Sequence, residues 1–343
     1  MTAQDVTVLD SYKPKLVKVE DNLTAAAFRF MKIFPAAFCL RRVQEEGWTE
    51  TQPLIMQTSS CNMALGAAMI CNLHGFPLTI ISDSVCGDLL RIRLEGLNAT
   101  LITLAEPGVG SECQKTRIDQ IEEVRARIPN HWWVNLSDHP GNPGAYGFFA
   151  AQLIEELGQI DYLVGAVGSG GSVCGTAGFL RELFPEMLAV GVDTFGSVLF
   201  GQPRQTRRLR GIGSAVLPQN LDHSLFDEVH WVTAAEAYKA TRRLYQKTFL
   251  FCGETSGAAW LVASYLARKN SKARVVCILP DDGELYRGTV YNDQYLRREN
   301  LWLAHLPEAP REVAFPADAG PGWSFMHWGR REYAEVIRCE NPL

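Results

Sequence analysis

Residues 162–172 read YLVGAVGSGGS, an apolar run that passes directly into a turn of glycines and serines. The apolar run is typical of a buried parallel strand, and a helical pattern begins near Gly171. Glycines let the backbone turn sharply and approach a ligand, and the amides at a helix N-terminus can hold an anion. The segment therefore predicts a strand, an anion-binding loop and a helix.

Other anion-binding motifs fit this loop poorly. No lysine follows the glycines, as the nucleoside-triphosphate loop G-x-x-x-x-G-K-[ST] requires. The dinucleotide pattern G-x-G-x-x-G requires a small residue at position 173, where Val173 stands. A nucleotide-binding protein is thus disfavoured, although a glycine-rich turn can also have a purely structural role.

The same alternation of strand and helix covers the middle of the chain. It predicts a doubly wound α/β architecture, because strands and helices that alternate build parallel sheets with helices on both faces. We expect Thr233 to cap one helix and Gly75 to follow the helix that ends at His74. The predicted strands are 53–57, 77–82, 99–103, 132–135, 162–167, 189–193 and 274–279, and the predicted helices are 34–46, 62–73, 88–97, 113–128, 145–157, 171–183, 234–248 and 256–269.

Composition limits the class of protein. The chain has 343 residues, of which 47% are hydrophobic and 21% charged, enough for two domains of ordinary size. A net charge of −5 speaks against a nucleic-acid partner. No apolar run reaches the roughly 18 residues of a membrane span, and the N-terminus lacks the pattern of a signal peptide, so we expect a cytoplasmic protein without a membrane partner. The nine cysteines form no C-x-x-C pair, which predicts reduced thiols and no metal site.

A second polar loop follows the predicted strand 53–57. Residues 58–62 read TSSCN and offer hydroxyls, amides and a carboxamide at the carboxyl end of a parallel strand, where open α/β sheets place ligands. A substrate carboxylate could bind there. The alternative is that Ser60 or Asn62 only caps the next helix.

Lys32 lies in the apolar stretch FRFMKIFP, residues 28–35. Burial lowers the pKa of a lysine and favours the neutral amine that forms Schiff bases. The alternative is a lysine whose ammonium reaches water from a buried stem.

A third polar turn, CGETSGAA at residues 252–259, opens a helix rich in small residues. Thr255 or Ser256 could simply cap that helix. The strand end 279–284 could line the same site or form a solvated turn.

In this order and spacing, these features resemble the second fold type of pyridoxal-phosphate enzymes, the cysteine-synthase group, over residues 16–296. The resemblance implies two doubly wound α/β domains with mainly parallel sheets, pyridoxal phosphate in the cleft between them, small amino-acid substrates and a homodimer. It implies that Lys32 is the catalytic, Schiff-base lysine, that Asn62 meets the phenolic oxygen of the cofactor and that Thr255 faces the pyridine nitrogen. The cofactor phosphate would be held by Gly168, Ser169, Gly170, Gly171 and Ser172, and the substrate by Ser59, Ser60, Cys61 and Met63.

The resemblance also divides the chain. It predicts a larger cofactor-phosphate domain of residues 1–37 and 144–296, and a smaller, mobile substrate-side domain of residues 38–143. The turn-rich sequence DHPGNPG at 138–144 marks the junction. Residues 297–343, rich in proline and tryptophan, are predicted to form an irregular C-terminal arm.

A narrower resemblance links residues 128–133, 192–201, 210–214 and 289–293 to a siderophore-pathway branch of the group. Enzymes of that branch join O-phospho-L-serine to L-glutamate and give a precursor of 2,3-diaminopropionate. This implies β-replacement on an activated serine, O-phospho-L-serine or O-acetyl-L-serine, through an aminoacrylate and with an amine nucleophile. Arg207, Arg208 and Arg210 are candidates for binding a phosphate leaving group, or they form a solvated face.

The chain departs from the group at several positions. The group shows Ser-x-Lys-Asp-Arg around its lysine, whereas residues 30–34 read FMKIF here, and Cys61 stands where the group has a glycine. Two alternatives therefore stay open: a cysteine-synthase-like reaction with sulfide, and a non-catalytic relative that acts as a binding protein.

Overall fold

The structure is a computed structural model that describes residues 3–58, 61–82, 88–104, 111–135 and 138–340. Its helices are α1 (Ala3–Tyr12), α2 (Ile33–Glu45), α3 (Cys61–His74), α4 (Asp88–Glu95), α5 (Ser111–Arg127), α6 (Gly141–Gly144), α7 (Gly147–Leu157), α8 (Gly171–Arg181), α9 (Ala234–Thr248), α10 (Glu254–Lys269), α11 (Asp293–Arg298) and α12 (Tyr333–Glu340). Its strands are β1 (Lys15–Glu20), β2 (Leu23–Ala27), β3 (Leu54–Thr58), β4 (Leu78–Ser82), β5 (Thr100–Thr103), β6 (Trp132–Val134), β7 (Tyr162–Ala166), β8 (Leu188–Thr194), β9 (Glu228–Val232), β10 (Val275–Leu279), β11 (Arg311–Glu312) and β12 (Ser324–His327).

Contacts divide the chain into two compact units. The first contains Met1–Asp5 and Lys32–Asn142, and the second contains Val6–Met31 and Pro143–Leu343. The units thus begin and end at residues other than those of the predicted domains. The roles and the mobility assigned to those domains stay predictions.

The first unit is built on a four-stranded parallel sheet in the order β5-β4-β3-β6. All five residues of β4 are buried, as expected for a strand covered on both faces. The chain runs from β3 outward to β5 and then returns to the other side of β3. The order therefore reverses between β3 and β6, and Thr58 lies at the carboxyl end there.

The second unit is built on an eight-stranded sheet in the order β1-β2-β10-β7-β8-β9-β12-β11. Strands β2, β10, β7, β8 and β9 run parallel to one another, while β1 and β12 pair antiparallel with β2 and β9. The order reverses between β7 and β10, which places the glycine-rich loop that follows β7 at the reversal point, where α/β sheets bind ligands. The parallel sheets confirm the α/β prediction.

Helix α10 lies close to its neighbours because its sequence is rich in small residues. A β-carbon added at Gly257 would lie 2.1 Å from Oγ1 of Thr241 in α9. The predicted cap of α9 is confirmed, since Thr233 and Glu236 form a reciprocal capping box. Gly75 follows α3 with φ +72°, as predicted.

The C-terminal segment is more regular than its composition suggests. Strand β12 pairs with β9, and Glu236 accepts the Trp323 backbone N–H at 2.9 Å. The indole of Trp323 donates to Nδ1 of His230 at 3.1 Å. Within residues 297–340, which sequence predicts to form an irregular arm, β11 and β12 thus extend the larger sheet. Among the described residues, the helices are all too short or too polar to cross a membrane.

Candidate active site

Lys32 stands at the N-terminus of α2. It is the N-cap residue, and its carbonyl accepts the Ala36 N–H at 3.2 Å as the helix begins. The residue before it, Met31, donates its N–H to the carbonyl of Pro280 at 2.9 Å. The Lys32 side chain is half-buried. Lys32 is thus held at a helix start, and its chain neighbour is fixed to the segment that follows β10.

Helix α3 packs directly on the backbone of Lys32. A β-carbon added at Gly66 would lie 2.6 Å from the Lys32 carbonyl oxygen and 2.9 Å from its carbonyl carbon. Asn62 lies one turn before Gly66, and residues four apart share a face of a helix. The structure therefore brings the half-buried Asn62 onto the face of α3 that meets Lys32.

The Cys39 thiol shows the electrostatic surroundings of α2. Burial, with a smaller contribution from Glu46, raises the pKa of Cys39 to about 12, and the positive charge of Lys32 opposes both. A thiol with so high a pKa is not a nucleophile at neutral pH. The Cys39 thiol is therefore no candidate nucleophile, and the assignment of Lys32 as the reactive amine stays a prediction.

The remaining residues predicted to bind substrate are neighbours in sequence of the first residue of α3. Ser59 and Ser60 lie outside the described residues, as does the side chain of Cys61, and Met63 is buried. Helix α3 begins at Cys61, so Asn62 is a helical residue and not the cap. The first amides of a helix lack acceptors within it, so the start of α3 can hold a carboxylate.

The glycine-rich loop forms a tight cradle at the start of α8. Gly170 is the N-cap residue, with φ +83° and no side-chain cap. A β-carbon there would lie 2.7 Å from the Asn220 carbonyl oxygen and 2.7 Å from Cα of Leu221. Only glycine fits, which leaves the first amides of α8 available to an anion. Gly168, Ser169 and Ser172 are partly exposed, whereas Gly171 is buried.

Val173 explains why the loop departs from the dinucleotide pattern. A β-carbon added at Gly165 of β7 would lie 2.7 Å from Cγ2 of Val173. The Val173 side chain therefore fills the space next to Gly165. Helix α8 packs closely on β7 because the small residue lies in the strand, whereas the dinucleotide pattern has its small residue in the helix.

The segment 210–213 joins the glycine-rich loop to Thr255. The Gly213 N–H donates to the carbonyl of Val167 at 2.8 Å. A β-carbon at Gly168 would lie 3.1 Å from the Gly211 carbonyl oxygen, and one at Gly211 would lie 3.6 Å from Cγ2 of Thr255. Gly211 therefore lies between two features that sequence assigned to the cofactor.

Thr255 lies in the first turn of α10 and is 3% exposed. The helix begins at Glu254, and its N-cap is Gly253, without a side-chain hydrogen bond. The alternative that Thr255 or Ser256 caps this helix is therefore wrong. Neither hydroxyl therefore serves as the N-cap of α10.

Two buried carboxyl groups, which sequence reasoning missed, flank segment 210–213. Oε1 of Glu254 accepts the Arg210 backbone N–H at 2.6 Å, and burial raises the pKa of Glu254 to about 7. Oδ1 of Asp193 accepts the Thr194 N–H at 2.8 Å, and burial raises the pKa of Asp193 to about 7. Glu254 could have been noticed, because it is the only charged residue between positions 248 and 267.

The three candidate arginines have different surroundings. Arg208 pairs with Glu299 at 2.9 Å, and Nη1 of Arg207 donates to the Ile212 carbonyl at 3.2 Å. Arg210 is fixed through its backbone, and its side chain is exposed. Arg210 is thus the arginine of the three whose guanidinium is best placed to meet a ligand from solution.

Comparison with known proteins identifies the family of the chain. The family model "Pyridoxal-phosphate dependent enzyme" matches residues 14–281. The chain is similar to the N-(2-amino-2-carboxyethyl)-L-glutamate synthases of Cupriavidus metallidurans, with 33% identity over 83% of this chain and 84% of the relative, and of Ralstonia nicotianae, with 32% identity over 77% and 79%.

Solved structures show the same fold. The O-acetyl serine sulfhydrylase isoform 3 of Entamoeba histolytica superposes with a TM-score of 0.70 at 23% identity, over 84% of this chain and 90% of that one. Fold, family match and relatives lead to one conclusion: the chain belongs to the family of pyridoxal-phosphate dependent enzymes, and pyridoxal phosphate is its cofactor.

Proposed function

We propose that this enzyme catalyses β-replacement on an activated L-serine, O-phospho-L-serine or O-acetyl-L-serine, with an amine such as L-glutamate as the nucleophile. The observation that carries the proposal is the position of Gly211, which lies against both Gly168 and Thr255. One cofactor can thus be held at its phosphate and at its ring by neighbouring parts of the second unit. The two relatives named as synthases of N-(2-amino-2-carboxyethyl)-L-glutamate support L-glutamate as the nucleophile.

The residues present fit pyridoxal phosphate. The cradle that a β-carbon at Gly170 would fill, with the amides that begin α8, suits a phosphate group. Ser169 and Ser172 would add hydroxyl donors. The buried Thr255 would offer its hydroxyl to the pyridine nitrogen. When bound, the cofactor supplies an electron-withdrawing ring that acidifies the substrate's α-hydrogen.

Lys32 would attach the cofactor and, once released by the substrate, move the proton at the substrate's α-carbon. One amine thus serves as anchor and as general base and acid. Asn62, on the face of α3 that meets Lys32, would donate its carboxamide N–H to the phenolic oxygen. Ser59, Ser60, Cys61 and Met63, with the first amides of α3, would bind the substrate carboxylate.

Thr255 would hold the pyridine nitrogen by a hydrogen bond from its hydroxyl, which does not hand over a full proton as a carboxylic acid would. Such a contact would suit prompt loss of the substrate's β-substituent. Arg210 is our candidate for contacting a phosphate leaving group, because its side chain is exposed next to Gly211. Substrate-induced closure would then exclude water from the reacting carbon.

The test compares the wild type with Lys32→Ala. We expect the wild type to carry a visible absorption band of bound pyridoxal phosphate, and to convert O-phospho-L-serine and L-glutamate to the N-(2-amino-2-carboxyethyl)-glutamate that mass spectrometry detects. Lys32→Ala, which cannot form the Schiff base, should lose the band of the covalently attached cofactor and should form no product. Lys18→Ala, an exposed lysine of β1, is the matched control and should keep both.

The same assay separates the alternatives. Cysteine formed from sulfide, with no product from L-glutamate, would establish a cysteine-synthase-like reaction. A protein that takes up no pyridoxal phosphate would contradict catalysis and leave a binding protein. We also propose a cytoplasmic homodimer that serves siderophore or other natural-product biosynthesis, a proposal supported by the sequence resemblance and testable by sedimentation and by product analysis in cells.

A further inference from the structure

We propose that Glu254 is a positioning residue that holds segment 210–213 between the glycine-rich loop and Thr255, so that its protonation controls how tightly the enzyme binds pyridoxal phosphate. The inference rests on the proposed cofactor site of the second unit. It concerns a residue that would not touch the cofactor itself.

Glu254 is buried, and its carboxylate accepts two hydrogen bonds. The side chain is 3% exposed. Its Oε1 accepts the Arg210 backbone N–H at 2.6 Å, and the Tyr238 hydroxyl of α9 donates to the same carboxylate. Hydrogen bonds to an ionised acceptor are shorter and stronger than neutral ones. A buried carboxylate thus grips the backbone of a segment that is otherwise exposed at Arg210 and Gly211.

The hydrogen bond from the Arg210 N–H to Glu254 fixes one end of segment 210–213. At the other end, Gly213 is tied to Val167 by its own N–H, at 2.8 Å. Gly211 lies between these two attachments, with φ +76°, and contacts the glycine-rich loop and Thr255. Release of the Arg210 amide would therefore let Gly211 leave both neighbours at once, while the Gly213 end stays in place.

Burial and the groups near Glu254 make the hydrogen bond between Arg210 and Glu254 sensitive to pH. Burial raises its pKa to about 7, and the nearby Asp281, after β10, raises it as well. The Arg210 amide, the Tyr238 hydroxyl and the Arg210 charge act in the opposite direction. Tyr286 donates to Oδ2 of Asp281 at 2.7 Å. Glu254 therefore changes its charge near neutrality, and the ionised form, dominant above pH 7, is the stronger acceptor.

The experiment measures non-covalent cofactor binding. In the full-length Lys32→Ala protein, which cannot form the Schiff base, the Kd for pyridoxal phosphate is determined by equilibrium dialysis at pH 6 and pH 8. The ³¹P shift of the bound phosphate reports the cradle directly. Glu254→Ala, Glu254→Gln and Tyr238→Phe are compared in this background.

We expect Glu254→Ala to raise the Kd about tenfold at pH 8 and to shift the ³¹P signal, because the Arg210 amide loses its acceptor. Glu254→Gln keeps an acceptor oxygen, so its Kd should stay within about threefold of the reference. In the Lys32→Ala reference protein, the Kd for pyridoxal phosphate should fall between pH 6 and pH 8. This fall should be absent when Glu254→Gln is added. Tyr238→Phe should weaken binding by about threefold.

Three results would overturn the inference: an unchanged Kd in Glu254→Ala, the same pH dependence in Glu254→Gln as in the Lys32→Ala reference, or, if Glu254→Ala does not fold, an unchanged Kd in Tyr238→Phe. Thermal unfolding without cofactor checks folding. A wild-type enzyme that binds no pyridoxal phosphate would instead overturn the proposed function, together with this inference.

Discussion

Gly66 and the carbonyl of Lys32 are in direct contact, so closely that a β-carbon at position 66 would lie 2.6 Å from the carbonyl oxygen. The glycine sets the distance between α3 and the start of α2. It thereby sets the distance between the face that carries Asn62 and the backbone of the lysine. A single missing methyl group thus defines how closely α3 packs on the start of α2.

Gly66→Ala should separate these helices. The added methyl group meets backbone atoms, which cannot rotate away, so we expect a loss of about 2 kcal/mol in the free energy of unfolding. Because small displacements of catalytic groups reduce rates steeply, kcat/KM should fall by roughly tenfold or more. Gly178→Ala is the control, since nothing lies within 4 Å of a β-carbon at that position of α8. Equal behaviour of the two variants in chemical denaturation and in turnover would contradict this role.

Gly170→Ala should weaken cofactor binding selectively. The residue has φ +83°, and the added carbon would meet the backbone at Asn220 and Leu221. Gly75 has φ +72° but open space around its β-position, so Gly75→Ala carries a similar backbone strain of about 1 kcal/mol without the clash. We expect an increase of about tenfold or more in the Kd for pyridoxal phosphate for Gly170→Ala and little change for Gly75→Ala. An equal increase in the Kd of both variants would show that backbone strain, and not the clash at Gly170, weakens cofactor binding.

Asp193→Asn should change how stability depends on pH. The pKa of Asp193 is raised by burial from 3.8 to about 7, and its Oδ2 has no hydrogen-bond partner within the described part of the chain. The folded state thus binds the proton more tightly, so ionisation destabilises the protein as pH rises from about 4 to 7, by about 4 kcal/mol at the upper end.

The asparagine keeps an acceptor for the Thr194 N–H and removes the titration. The difference in stability between Asp193→Asn and the wild type should therefore favour the variant more at pH 8 than at pH 4.5. Thermal unfolding at both pH values measures this difference. Asp10→Asn, at an exposed position, is the matched control. A constant difference between Asp193→Asn and the wild type would contradict ionisation of the buried group.

Glu236→Ala should loosen two parts of the second unit. Oε2 accepts the Thr233 N–H and hydroxyl, both at 2.8 Å, and Oε1 accepts the Trp323 N–H at 2.9 Å. We expect a loss of about 3 kcal/mol, against about 1 kcal/mol for Thr233→Ala, which removes only a cap. Limited proteolysis should cut residues 297–323 faster in Glu236→Ala alone. Similar cleavage in both variants would separate the C-terminal segment from Glu236.

Sequence pattern predicted the parallel strands well but missed β2 and β9. Residues 23–27 read LTAAA, whose alanines have little preference for strands, and β2 exists because β1 and β10 pair with it. Residues 228–232 read EVHWV, an alternation typical of a half-exposed strand. Yet Glu228 and His230 are both buried. Their partners come from distant parts of the chain, which pattern alone does not reveal.

The candidate site divides in the same way. The glycine-rich loop and the turn at Thr255 carry local signals, because glycines and hydroxyls at helix starts are the residue types that anion-binding turns use. Gly66 and Glu254 act through residues far away in sequence, Lys32 and Arg210, so their roles follow only from tertiary contacts.

The pairing of β12 with β9 has a consequence for synthesis of the protein. Until residues 324–327 leave the ribosome, the outer side of β9 is an open edge, and open edges join strands of other chains. The larger sheet therefore gains this neighbour of β9 only after residues 324–327 have been synthesised. Chains shortened before β12 should collect in insoluble aggregates, even though every residue assigned to the cofactor is already present in them.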